Sequence, residues 1–163
     1  MNDYLKVYPS NEIGEDTPIN GYVEVHNTHL GEERNKNIET AIFLAKKGFQ
    51  VRLLEVINQP NHKNPDAYIV NKDIIIEFKH NVKATKSAID NEIRDAKNQA
   101  DYILIDIQSD ISREDLLEGI KNRYRRPQPK YQTMKDLWLI WKGELYIFTR
   151  EEVITGAINH KIQ

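Results

Sequence analysis

Asp66, Glu77 and Lys79 are the residues whose types and spacing could do chemistry together. They stand in the stretch "NPDAYIVNKDIIIEFKH", residues 64–80, where two apolar runs flank Asn71-Lys72. That pattern predicts a β-hairpin. With Asn71-Lys72 as a two-residue turn, or with a four-residue loop over Val70 to Asp73, the register is the same and paired residue numbers sum to 143. Ile69 then faces Ile74, and Ala67 faces Ile76, on an apolar side that also takes Phe78. The other side carries Tyr68 opposite Ile75, and Asp66 opposite Glu77. Like charges opposed across a sheet repel, because their Cβ atoms are only about 4.5–5.5 Å apart. Lys79, two residues beyond Glu77, leaves the same face, so its ammonium is one compensation; a hard divalent cation is another. Ion and lysine together can polarise a water or a phosphoryl oxygen and stabilise charge that builds on a phosphate. The plainer alternative is a pair of solvated hairpin carboxylates neutralised by a neighbouring lysine.

The elements that must position these three residues are readable as periods. From Glu32 to Lys47 the residues Ile38, Ala41, Ile42 and Ala45 recur at helical spacing, and Gly48 stands where a helix stops. "FQVRLLEVI" alternates as a strand ahead of the hairpin. A second amphipathic helix carries Ile89, Ile93, Ala96 and Ala100, and "YILIDI" reads as a strand covered on both sides. Ser112 can cap the helix "REDLLEGIKNR", with Asp115 helping as a weaker capping box. "LWLIW" and "ELYIFTR" flank Lys142-Gly143 as a hairpin, and Thr149 with Glu152 fits a capping box for a last short helix. The expected fold is α/β, a mixed β-sheet flanked by helices. Residues 1–30 read as an irregular lead-in with "GYVEVH" as an edge strand, and residues 31–163 as a single domain.

Composition narrows the chemistry. The 163 residues suit one globular domain with a sizeable core. There is no cysteine, which excludes disulfides, thiolate zinc sites and a cysteine nucleophile. No run approaches the roughly 18 apolar residues of a membrane helix, and no signal-peptide layout opens the chain, so a soluble protein is expected. A net charge of −2 argues against blanket attraction to nucleic acid but leaves room for a local basic face.

Pro65-Asp66, Glu77 eleven positions on and Lys79 two further, on a hairpin between two amphipathic helices, resemble the PD-(D/E)XK nuclease superfamily with its restriction-endonuclease-like core. The stretches "NIETAIFLAKKG", "PDAYI", "IIIEFKH" and "EIRDAKNQADYILIDI" are similar to the carboxy-terminal toxin modules of contact-dependent growth inhibition CdiA proteins and related polymorphic toxins. The superfamily resemblance implies a metal-dependent phosphodiesterase in which Asp66 and Glu77 hold the ion and Lys79 serves the phosphate or the attacking water. Mg²⁺ is the first expectation, with Mn²⁺ or Zn²⁺ as alternatives. A further acid on the first helix is implied, Glu39 first and Glu33 as the alternative. The narrower resemblance implies an antibacterial toxin, delivered as part of a larger surface protein into a target-cell cytoplasm and matched by a cognate immunity protein. It puts tRNA ahead of DNA as substrate and leaves room for a host translation factor. A DNA nuclease and a non-catalytic nucleic-acid-binding module stay open as alternatives.

Two other features bear on binding. Between Lys121 and Lys135 the chain has six cations and no acid, with Tyr124 and Tyr131 interleaved. Arg123, Arg125, Arg126 and Lys130 are therefore candidates to track phosphates, with the tyrosines stacking on bases; a solvated loop is the alternative. Lys83, Lys86 and Arg94 could add to such a surface. His26 and His29, in "HNTH", suggest a turn or surface role; were they catalytic, the enzyme would be a metal-independent ribonuclease using histidine as general acid and base.

Overall fold

Among the residues that the computed structural model describes, 2–9 and 20–162, strands and helices alternate as the periods predict. β1 (Tyr4–Tyr8), β2 (Tyr22–His26), α1 (Gly31–Ala45), β3 (Gln50–Leu53), β4 (Ala67–Ile69) and β5 (Ile74–Asn81) come first. They are followed by α2 (Lys86–Lys97), β6 (Tyr102–Ile107), α3 (Arg113–Tyr124), α4 (Pro129–Gln132), β7 (Leu137–Trp141), β8 (Glu144–Phe148), α5 (Arg150–Thr155) and α6 (Ile158–Lys161). The strands form a mixed sheet of eight in chain order, flanked by helices, which is the α/β layering expected. The chain divides into two compact units, Met1–Ile76 and Glu77–Gln163, and the division falls inside β5. β1 and β2 come from the stretch read as irregular, and "GYVEVH" supplies an inner strand, antiparallel to β1 and parallel to β3. Residues 10–19 of that stretch lie outside the described residues.

In the first unit, burial alternates along the strands. Val23, Val25, Val51, Leu53, Ala67, Ile69 and Ile76 are buried, while Tyr22, Glu24, Arg52 and Tyr68 are partly exposed. Each fully buried Val, Leu or Ile contributes about 1.5–3 kcal/mol, so this one face dominates the unit's stability. α1 turns Asn37, Thr40, Ala41, Leu44 and Ala45 inward. That stripe is rotated from the expected one, leaving Ile38 and Ile42 only partly buried. Polar Asn37 is inside because its amide has a partner there, described below. Gly21 passes so close to the end of α1 that an added Cβ would lie 2.0 Å from the Ala45 carbonyl oxygen, a contact no side chain survives.

β4 and β5 pair Ala67 with Ile76, Tyr68 with Ile75 and Ile69 with Ile74, the register read from polarity. The connection is the four-residue loop: Val70–Lys72 makes one 3-10 turn, and Asp73 closes it at φ 54. A two-residue turn needs positive φ at its centre, which Asn71-Lys72 without glycine does not favour. The Asn71 side chain ties the loop to the start of β3, accepting from the Gln50 N–H at 3.0 Å and donating to the Gly48 carbonyl at 3.0 Å.

In the second unit, Ile89, Ile93 and Ala96 of α2 pack in one core with Ile103 and Ile105 of β6, Leu116 and Ile120 of α3, and Leu137 and Leu139 of β7. α2 and α3 approach at Gly119, where a Cβ would stand 2.6 Å from the Lys86 carbonyl oxygen. The expected caps are present: Ser112 accepts from the Asp115 N–H at 3.1 Å, and Thr149 and Glu152 make a reciprocal capping box. β7 and β8 form the expected hairpin, with Lys142 at φ 50 and Gly143 at φ 79, the paired positive angles of a tight hairpin turn.

Candidate active site

Asp66 immediately precedes β4, and its main-chain carbonyl accepts from the Leu54 N–H at 2.9 Å, which fixes the residue beside β3. Its carboxylate accepts from the Asn37 amide at 3.4 Å. Both residues line a cavity of about 260 Å³ in the first unit, together with Thr28, His29, Leu30, Glu33, Arg34, Val56 and Asn64. Glu33 is one helical turn before Asn37 and so shares its face of α1. Glu39, expected as the first-helix acid, is exposed and lies about 200° round the helix from Asn37. Glu33, the alternative, lines the same cavity as Asp66, and Glu39 is not among the lining residues. The wrong phase came from treating Ile38 and Ile42 as the inward stripe.

His26 and His29 are both 7% exposed, so neither has the surface role expected of them. His26 does serve a turn, its Nδ1 standing 2.9 Å from the Thr28 hydroxyl. His29 closes the cavity wall with Nε2 at 2.6 Å from the Leu54 carbonyl oxygen. Asn64 spans the other side, donating to the Ile57 carbonyl and accepting from the Ile57 N–H.

In the second unit, Glu77 is 6% exposed, and the Lys79 ammonium lies 3.8 Å from its carboxylate. The two leave the same strand face two residues apart, as expected. Further along β5, buried Asn81 donates to the Glu92 carboxylate at 2.8 Å and accepts from the Ser109 hydroxyl at 2.5 Å. Burial pushes the Glu92 carboxyl above the usual carboxylate range, against the opposing effects of the Asn81 hydrogen bond and the Lys79 charge. Sequence reasoning missed Asn37, Asn81 and Glu92, and gave His29 a turn or surface role. Only Glu92 carried a signal, standing one residue before Ile93 at the margin of the apolar face of α2.

The basic stretch is more structural than expected. Arg123 is 7% exposed, donates to Asp90 at 2.6 Å and to the Tyr131 hydroxyl at 2.9 Å, and is committed to the interior. Tyr124 and Tyr131 are buried, so they cannot stack on bases. Residues 129–132 form α4 where a loop was expected. Arg126 and Lys130 are exposed, although Arg126 also lies 3.6 Å from Asp90. Arg125 lines a cleft of about 390 Å³ where Lys121 and Arg113 are offset by Glu114 and Glu118.

The family model described as the contact-dependent growth inhibition CdiA C-terminal domain matches residues 63–144, half of the chain, including Asp66, Glu77 and Lys79. The chain belongs to the CdiA C-terminal domain family. A solved structure, a CdiA-CT/CdiI toxin and immunity complex from Burkholderia pseudomallei, resembles this CdiA C-terminal domain at a TM-score of 0.53 and 22% identity. The likeness covers 78% of this chain and 98% of that one, and at such identity it bears on the fold alone. A comparison with curated proteins gives no match.

Proposed function

We propose that this CdiA C-terminal domain is an antibacterial toxin that hydrolyses phosphodiester bonds in RNA, tRNA first, using a divalent ion together with Asp66, Glu77 and Lys79. The observation that carries this reading is the hairpin register. Its last pair is Ala67 with Ile76; Asp66 immediately precedes β4, and Glu77 is the next residue of β5. A carboxylate buried as Glu77 is kept only where positive charge answers it, and Lys79 provides part of that charge. Among the described residues no three of His, Asp and Glu cluster as a metal site. Two carboxylates completed by water and phosphate oxygens match the habit of Mg²⁺ and Mn²⁺, and the all-oxygen donor set suits Zn²⁺ less well.

In this reading Asp66 and Glu77 hold the ion, which when bound supplies positive charge at the scissile phosphate. Lys79, held near Glu77, orients the attacking water and stabilises charge on the phosphoryl oxygens. Asn37 keeps the Asp66 carboxylate in place, and Glu33 stands ready as the additional acid. The complex of toxin and immunity protein from Burkholderia pseudomallei supports a cognate immunity protein here as well, and family membership supports delivery by a larger surface protein. A partner with an acidic surface would meet Lys79, Arg126 and Lys130.

The test is cleavage of bacterial tRNA and plasmid DNA, side by side, with Mg²⁺, Mn²⁺, Zn²⁺ or EDTA. Glu77→Gln and Lys79→Met should each lower a metal-dependent rate by about a hundredfold or more. Loss of plasmid with intact tRNA would make the enzyme a DNA nuclease. Cleavage untouched by EDTA and by both substitutions would overturn the reading.

A further inference from the structure

The cavity beside Asp66 holds an imidazole that the chemistry above does not use. His29 Nε2 lies 2.6 Å from the Leu54 carbonyl oxygen. A carbonyl only accepts, so Nε2 carries a proton, and in the tautomer with that one proton Nδ1 is an acceptor. No described residue hydrogen-bonds that Nδ1. The same cavity lining carries acceptors: the carboxylates of Glu33 and Asp66, and the side-chain carbonyl of Asn37, whose amide nitrogen donates to Asp66. Arg34 is the one Lys or Arg in the lining. A wall of acceptors disfavours a phosphate and suits a group that brings hydroxyl hydrogens. A cavity of about 260 Å³ has room for one sugar.

We propose that His29 Nδ1 accepts a hydrogen bond from the 2′-hydroxyl of a ribose seated in this cavity, and so selects RNA over DNA. The hydroxyl is the group by which a protein tells the two backbones apart. A deoxyribose leaves the imidazole lone pair buried without a donor, which disfavours DNA by about tenfold or more. This inference rests on the reading of the cavity as part of a nuclease site, because Asp66 is shared between them.

The experiment measures binding of a fluorescent single-stranded RNA oligonucleotide and its 2′-deoxy twin in EDTA, alongside metal-dependent cleavage of both. The variants are His29→Gln and His29→Asn, with thermal melting to check folding. Glutamine keeps an amide N–H in reach of the Leu54 carbonyl and leaves nothing at Nδ1; asparagine puts its amide where Nδ1 stands and gives up the Leu54 bond. The expected result is an RNA preference of about tenfold or more in the wild type. In His29→Gln it falls to near unity, as RNA loses its acceptor and DNA no longer buries an unanswered lone pair, and in His29→Asn part of it is retained. An unchanged preference in His29→Gln, equal losses for both oligonucleotides, or a wild type that binds neither or does not discriminate would overturn the proposal. Absence of cleavage with a His29-dependent preference in binding would instead sink the nuclease reading and keep the ribose site.

Discussion

Burial keeps the Glu92 carboxyl protonated to higher pH than in the unfolded chain, where it ionises in the ordinary range near 4.5. The folded state therefore binds more protons in that window. Its contribution to stability is full below the unfolded value and is lost as pH rises through the raised folded one. Glu92→Gln, which cannot ionise, should raise the melting temperature at pH 8 and change it little at pH 4; an equal shift at both would refute this account. Arg123 shows the opposite economy, a buried cation with Asp90 beside it. Arg123→Ala should cost about 3–5 kcal/mol by stranding Asp90, readable as lost stability in urea. Arg126→Ala and Lys130→Ala, on exposed side chains, should leave stability nearly unchanged and weaken tRNA binding modestly. The sequence could not separate these cations, because six like charges in one run look equally solvated until a distant acid such as Asp90 selects one of them.

At the scale of elements, legibility tracked how far apolar residues alone decide a face. α2 shows Ile89, Ile93 and Ala96 inward as its period says, and the β4–β5 register followed from which residues want burial. α1 misled because two of its inward positions, Asn37 and Thr40, are polar, while Ile38 and Ile42 stay partly exposed. That rotation puts Glu33 rather than Glu39 on the cavity that Asp66 lines. β1 was missed because Leu5, 62% exposed, breaks its apolar signal. Two substitutions probe the elements directly. Gly119→Ala forces a methyl group against the Lys86 carbonyl and should cost about 1–3 kcal/mol, seen as a lower midpoint in urea. Asn71→Ala removes both bonds that tie the hairpin loop to β3 and should speed amide exchange at Gln50 and along the loop, with the core unaffected.

For the molecule as a whole, a net charge of −2 means that under the proposed nuclease reading affinity for nucleic acid comes from a few local cations. The slope of log K against log salt should then be shallow, and each phosphate-contacting cation removed should reduce it by about one. The chain order of the strands has a consequence for a domain that a larger protein carries into another cell. β1 with β2, β3 with β4, β4 with β5 and β7 with β8 are partners that follow one another along the chain. A polypeptide emerging end-first from a narrow passage can therefore pair each strand with one already through, before the remainder has crossed. Without cysteine, no covalent link needs to be broken before that passage or remade after it.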